Sequence, residues 1–195
     1  MKWVTYDHLH LDRAATPWLI LRFVDPAAEF TFIDRGSEGG APDGAIGFGI
    51  PGSAFGPHDA DGTAFRKVML AYRVLDPAVH LVERIVAAGV RHALDLEPQD
   101  NQTEEESVLG AALDRLGQGL AIVFDDADHL SAVLPLYDAL YANCRVRLLP
   151  HDIASQTPAG GIDRIDFLRR QARSPSAGRA GLLRGRSHGC APPMC

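Results

Sequence analysis

The segment from residue 55 to residue 65, FGPHDADGTAF, concentrates side chains that could bind a metal ion. His58, Asp59 and Asp61 lie within four consecutive positions and supply one imidazole and two carboxylates. These nitrogen and oxygen donors suit a divalent ion such as manganese, iron or zinc. The same residues are also typical of a turn that caps a following helix, since aspartate favours turns and Gly62 tolerates a left-handed backbone. A ligand set and a turn are therefore both open interpretations.

Other histidines form smaller groups. His8 and His10 alternate beside the first predicted strand, so both would face the same side and could hold a metal together. His129 ends the segment DDADH, a pattern that also suits a helix start, because carboxylates complement the positive end of the helix dipole. His80 and His92 lie in or just after a predicted amphipathic helix, and we interpret them as structural.

The end of the chain carries a cluster of soft donors. His188, Cys190, Met194 and Cys195 lie within eight positions, and such side chains could bind copper(I) or zinc. Their spacing matches no closed zinc site. The surrounding segment is rich in glycine, proline, serine and arginine and has no sustained periodicity. We expect residues 173–195 to form a disordered basic tail.

Hydrophobic patterning predicts the elements that must position these groups. KWVTY (2–6) and EFTFI (29–33) are typical of strands, and a glycine-rich loop follows the second. Gly89 predicts the end of one helix and Pro135 a kink in another, and a short final helix is expected over residues 160–171. The predicted fold class is α+β, a mostly helical single domain with a few short strands near the N-terminus. Helix starts are predicted at Asp12 or Thr16, at Thr63, at Asp76, at Thr103, and at Asp126 or Asp128.

Length, composition and charge limit the class of protein. The chain has 195 residues, of which 46% are apolar and 23% charged, as in ordinary globular proteins. We expect one domain over residues 1–172, followed by the tail. The formal net charge is −6, although the tail contains arginines and no acid, so the body is more acidic than this total. An acidic body disfavours nucleic-acid binding. No apolar run resembles a membrane span or secretion signal, so we expect no membrane association and a cytoplasmic location.

Three segments, in this order, resemble one known family. They are HLDRAATPWLILRFVDPAAEFTFI (10–33), GFGIPGSAFGPHDADGTAF (47–65) and DDADHLSAVLPLYDALYANCR (125–145). The sequence resembles the C-terminal domain family of the chromate-resistance protein ChrB, with matching order and approximate spacing across residues 1–147. That family commonly has cysteine where this chain has Thr16 and Thr63, so thiol chemistry at these positions is not carried over. The first segment is the most specific, through Asp12, Arg13, Pro17, Trp18, Leu19, Arg22, Phe23, Asp25, Pro26 and Glu29.

The resemblance implies a domain that binds a small inorganic ion or small molecule in a chromate- or metal-stress setting. It favours His58, Asp61 and Glu29 as ligands of a divalent metal ion. It also favours ligand binding by Arg13 and Asp12. The planar guanidinium of Arg13 could clamp an oxyanion such as chromate, sulfate or phosphate through two hydrogen bonds. Asp12 could instead be a helix cap, and Arg13 could instead pair with a carboxylate.

The sequence assigns no reaction. It contains no phosphate-binding glycine loop, dinucleotide fingerprint, zincin helix or nucleophile elbow. One hypothesis is a metal- or oxyanion-binding domain, which includes a metal-dependent enzyme of unassigned reaction. The alternative is a non-catalytic module that senses an effector or binds a partner. The metal, the substrate and the oligomeric state are not indicated.

Overall fold

A short parallel sheet lies at the start of the chain. In the computed structural model, which describes residues 1–36, 42 and 44–173, it comprises β1 (Lys2–Tyr6), β2 (Glu29–Ile33) and β3 (Ile46–Gly47). The strand order is β2-β1-β3, and Lys2 pairs with Glu29. Because the strands are parallel, the loops that follow them emerge at the same edge. This carboxyl edge is where ligands bind in open parallel sheets.

Helices make up most of the remaining described chain. The α+β fold class and the two strands predicted at 2–6 and 29–33 are confirmed. The helix from Asp12 changes to a π-helical segment at Ile20–Val24 instead of remaining α-helical. The helices are α1 (Asp12–Leu19), α2 (Ala64–Ala71), α3 (Pro77–Ala93), α4 (Glu104–Val123), α5 (Asp126–Arg147), α6 (His151–Ala154) and α7 (Gly161–Arg173).

The predicted helix caps are largely confirmed. Thr63, Asp76 and Thr103 each accept a hydrogen bond from a backbone N–H in the first turn of α2, α3 and α4. Three boundary predictions are wrong. Neither Asp12 nor Thr16 caps α1, whose N-cap is Leu11 and has no side-chain hydrogen bond. The cap of α5 is Asp125 rather than Asp126 or Asp128. Helix α3 continues past Gly89 to Ala93, because this glycine serves a helix contact rather than a helix end.

The core joins α1 to α2 and α5 through aromatic side chains that surround Trp18. Trp18 of α1 is fully buried, and its ring stacks on Phe65 of α2 with centroids 6.3 Å apart. Tyr137 and Tyr141 of α5 pack against the same indole. The indole Nε1 donates to Asp138 at 2.8 Å, which satisfies its polar atom within the core.

Helix α4 buries an unexpected face. Its buried positions are Glu106, Gly110, Asp114 and Gly117, whereas the apolar side chain of Leu116 is 52% exposed. Gly110 lies directly against Gly89 of α3, so the two helices approach closely. This approach brings the carboxylates of α4 towards the loops at the carboxyl edge of the sheet.

Two further findings concern parts of the chain away from the sheet. None of the helices in the described ranges is both long enough and apolar enough to cross a membrane. The disordered tail predicted over residues 173–195, with its His188, Cys190 and Cys195 cluster, begins one residue too early, because Arg173 ends α7. The rest of that prediction falls on residues 174–195, which lie outside the described residues.

Candidate functional site

The loop that follows β1 is strained and held by several side chains. His8 and Leu11 have φ angles of 54° and 40°, which L-residues rarely adopt. The Asp126 carboxylate accepts the backbone N–H groups of His8 and Leu9 at 3.1 and 2.8 Å. The hydroxyl of Tyr137 donates to the carbonyl of Leu11 at 3.3 Å. Strained loops that the surrounding structure fixes in this way are common at functional sites.

Arg13 completes the support of this loop from the first turn of α1. Its Nη1 donates to the carbonyl of Asp7 at 2.8 Å, and its Nη2 donates to that of His8 at 2.9 Å. Gly49 leaves room for the arginine, because a Cβ there would lie 2.9 Å from Arg13 Cγ. Burial, together with the nearby charge of Arg35, lowers the pKa of Arg13. Arg13 has no ion pair with any residue in the described part of the chain.

A cavity of about 400 Å³, which we name the arginine cavity, opens beside Arg13. Tyr6, Arg35 and Gly49 line it and lie at or just beyond the carboxyl ends of β1, β2 and β3 respectively. Its apolar wall comes from Val90, Ala93 and Leu94 at the end of α3. Its polar lining adds His10, Asp12, Arg13 and His58. The arrangement places two guanidinium groups and two imidazoles around one space.

Asp12 reaches this cavity but has a structural role. Its carboxylate accepts the backbone N–H groups of Ala64 and Phe65 at 2.7 and 2.9 Å, so it caps α2 from a distant part of the sequence. The hydroxyl of Thr16 donates to the Asp12 carbonyl and lies 3.3 Å from its carboxylate. Burial raises the pKa of Asp12, while these hydrogen bonds act to lower it. Each carboxylate oxygen of Asp12 thus accepts a backbone N–H at the start of α2, and ligand binding by Asp12 stays a prediction.

The PHDADG segment combines a turn with a residue available for binding. Asp59 accepts from the backbone of Asp61 at 2.9 Å and from Lys67 Nζ at 2.7 Å, and the Lys67 hydrogen bond lowers its pKa. Thr63 caps α2. Among the described residues, the buried Nδ1 of His58 has no hydrogen-bond partner, and His58 lines the arginine cavity. The turn and the helix cap are therefore present, whereas metal binding by this segment stays a prediction.

His58 also lines a second cavity of about 350 Å³, on the side of α2 and α3. We name it the glutamate cavity after Glu83, which is 6% exposed. Asp61 lines this second cavity and not the first. Arg66 and Arg84 contribute positive charge, and Arg84 pairs with Glu106 at 2.8 Å. The two cavities are thus neighbours that share His58.

The expected metal-ligand set is not assembled around His58. Glu29 starts β2 and pairs with Lys2, so it lies at the amino edge of the sheet, opposite the loops that form the cavities. His8 and His10 diverge, because His8 is exposed beside Asp7 whereas His10 Nε2 lies 2.8 Å from Asp114 Oδ1. Across residues 1–36, 42 and 44–173, no group of three or more histidine, cysteine, aspartate and glutamate side chains is arranged to hold a metal ion.

Asp114 is a site residue that the sequence interpretation missed. It is 2% exposed on α4, and besides His10 it contacts His92, whose Nδ1 lies 2.8 Å from Asp114 Oδ2. Although burial acts to raise it, the pKa of Asp114 is held low by hydrogen bonds from Gln118, His92 and His10. The available signal for Asp114 was an acid beside the apolar residues in the middle of the predicted helix. For Arg35, the signal was its position just after a predicted strand.

The fold and these cavities define an α+β protein with a polar cleft at the carboxyl edge of a short parallel sheet. The chain matches the family model described as ChrB, C-terminal domain, over residues 3–144, and it belongs to that family. It is 34% identical over 144 residues to Protein ChrB of Cupriavidus metallidurans, in a match that covers 73% of this chain. The chain spans only 40% of that relative's length. No solved structure matches the chain.

Proposed function

We propose that the arginine cavity binds a small oxyanion and that chromate is its physiological ligand. Membership of the ChrB family supports a role related to chromate resistance. Chromate is a tetrahedral dianion whose oxygens accept hydrogen bonds, so it needs fixed cationic donors. The cavity combines the guanidinium groups of Arg13 and Arg35 with the imidazoles of His10 and His58.

The state of Arg13 is the observation that carries this proposal. Two of its five N–H donors bond to backbone carbonyls, which orient the guanidinium without neutralising it. Three donors remain for a ligand. Burial and the like charge of Arg35 lower the pKa of Arg13, while Asp7, Asp126 and Asp12 act to raise it. An anion between the two arginines would offset their repulsion.

Thermal unfolding of the full chain with sulfate, phosphate, molybdate or chromate tests the proposal. A ligand that binds the native state alone raises the melting temperature with concentration. We expect Arg35→Gln to raise the dissociation constant for chromate by about tenfold or more, since a hydrogen bond to a charged group contributes about 1.5–3 kcal/mol. Arg13→Gln should raise it further but could also loosen the β1–α1 loop, so Arg35→Gln gives the decisive result.

Arg115→Gln is the matched control. Arg115 is exposed on α4 and lines neither cavity, so its replacement removes one positive charge without touching the proposed site. Chromate affinity should stay within about twofold of that of the parent chain, because a distant exposed charge is largely screened. Equal losses in the Arg115 and Arg35 variants, or no oxyanion-dependent stabilisation at all, would refute a specific anion site.

The same cavity could sense chromate or act on it, and one measurement separates the two roles. A sensing module binds the anion and leaves its concentration unchanged, whereas an enzyme consumes it. Consumption of chromate is a reduction of Cr(VI) and needs an electron donor, so NADH is added as the reductant. The yellow absorbance of chromate, followed at a wavelength where NADH does not absorb and compared with a protein-free sample, reports its loss. A constant absorbance together with a raised melting temperature supports the sensing role. A loss that disappears in Arg35→Gln supports an enzyme.

Metal binding at His58 is a second candidate function. The supporting observation is the buried Nδ1 of His58, which has no hydrogen-bond partner in the part of the chain that the structure describes. A divalent manganese, iron or zinc ion held there would take further ligands from Asp61 or from solvent, because Glu29 lies at the other edge of the sheet. Metal content measured on protein purified without added metal, and on His58→Ala, tests this. Equal metal content in both proteins would exclude His58 as a ligand.

A further inference from the structure

Glu83 is a buried carboxylate that accepts no hydrogen bond from any described residue. It lies on α3, is 6% exposed, and faces the glutamate cavity. Its ion pair among the described residues is with Arg66, whose Nη1 lies 3.7 Å from Glu83 Oε2 and so is beyond hydrogen-bond distance. A buried carboxylate is costly unless it is paired and hydrogen-bonded. Within the described residues, this acceptor is therefore paired but not hydrogen-bonded.

We propose that the glutamate cavity is a second binding site, separate from the oxyanion site, and that it takes a small organic cation bearing an ammonium group. The N–H groups of such a ligand would donate to Glu83. Side-chain amides of Gln99 and Asn101 line the same cavity and can hydrogen-bond with the rest of a polar ligand. The cavity volume of about 350 Å³ falls in the range of small-molecule sites.

The charges around this cavity favour a cation. Glu106 is already satisfied, because it accepts from Arg84 and from the backbone N–H of Thr103. The Arg84–Glu106 pair has no net charge, which leaves Asp61 and Glu83 with Arg66 and the imidazoles of His58 and His80. With the imidazoles counted as neutral, one negative charge is in excess. Burial raises the pKa of Glu83, and the nearby Asp12 carboxylate adds to this effect while Arg66 opposes it. A bound cation would offset the same repulsion.

An organic ammonium ion fits the donor set better than a metal ion does. A structural or catalytic metal site needs three or more protein ligands, and the described residues assemble no such group. An ammonium group needs fewer charged partners, because three N–H donors can be shared among one carboxylate and neutral acceptors. Arg66, whose side chain is 45% exposed, can move away from Glu83 when the ligand enters.

Calorimetric titration of the full chain tests the second site with three four-carbon probes: 1,4-diaminobutane, 1,4-butanediol and succinate. We expect the diamine to bind and the diol and the dianion to bind at least about tenfold more weakly, since only the diamine gives Glu83 a charged donor. Glu83→Gln should weaken diamine binding by about tenfold or more. The matched control is Glu104→Gln, which removes an exposed acid that lines neither cavity and should leave the affinity within about twofold.

Arg66→Gln gives an independent result of opposite sign. Loss of the competing cation should tighten diamine binding, whereas a general loss of fold would weaken it. Equal diamine affinity in Glu83→Gln and the parent chain, or no diamine binding, would overturn the second site. Because Arg13 and Arg35 line only the other cavity, chromate binding is measured separately, and either site can fail alone.

Discussion

His129 links the stability of the fold to pH through a single side chain. It lies on α5, is 1% exposed, and has an Nε2 that no described residue hydrogen-bonds. Burial lowers the pKa of His129, and the neighbouring His10 adds to this, while Asp126 acts in the opposite direction. The imidazole is therefore held neutral in the folded chain at pH values where the unfolded chain binds a proton.

We predict that the free energy of unfolding falls as pH decreases below about 6.5, the ordinary histidine value. The unfolded chain gains a proton at His129 in this range and the folded chain does not, so protonation favours unfolding until the lowered pKa is passed. His129→Gln removes this contribution and should flatten the pH dependence. His151→Gln, which changes an exposed histidine, should leave it unaltered. Urea unfolding between about pH 5 and pH 8 measures both. Identical slopes in all three proteins would contradict the role of His129.

Asp12 and Arg13 show what residue types alone can predict. Their position at the start of a helix indicated a cap or a ligand-binding pair, and the structure separates the two roles. Asp12 caps α2, because its oxygens accept from Ala64 and Phe65. Arg13 is oriented by carbonyls of its own loop. The sequence could not assign these roles, since the partners of Asp12 lie more than fifty positions away.

The α3–α4 contact is the element-scale feature that determines the site. A Cβ on Gly110 would lie 2.5 Å from the backbone nitrogen of Gly89, so the helices touch through their backbones. This places Asp114 against His10 and Glu106 against Arg84. Patterning predicted the helix itself, but glycine and acid are not counted as core-forming. The buried face could therefore not be predicted from hydrophobicity.

Gly110→Ala should destabilise the protein by about 1–3 kcal/mol, the usual cost of overpacking. Intrinsic helix propensity acts in the opposite direction, since alanine favours a helix over glycine by about 1 kcal/mol. Gly119→Ala isolates that propensity, because Gly119 lies in α4 with no atom within 4 Å of an added Cβ. It should be neutral or stabilising by up to about 1 kcal/mol. Chemical unfolding of both variants gives the comparison. A stabilised Gly110 variant would show that the helix contact can relax.

At the scale of the whole molecule, the three segments that carry the family resemblance are joined by contacts between residues that are distant in sequence. Asp12 of the first segment accepts a hydrogen bond from Ala64 at the start of α2, within the last two residues of the second segment. Asp126 of the third segment binds the loop after β1, and Asp138 accepts from Arg22 at 2.8 Å. The many residues that match the family in these segments predicted that the segments matter for its function. Their mutual contacts join distant positions, so no local pattern could indicate them.

The C-terminal residues supply the last prediction. Deletion of residues 174–195 should change the melting temperature by no more than about 2 °C, because their sequence has little apolar periodicity with which to bury surface. Deletion from residue 161 also removes α7, which contacts α5, and should cause a clearly larger decrease. The shorter deletion removes Arg179, Arg184 and Arg186, yet it should leave the chromate-dependent rise in melting temperature intact. If that rise disappears with these arginines, the oxyanion binds the basic C-terminus rather than the arginine cavity.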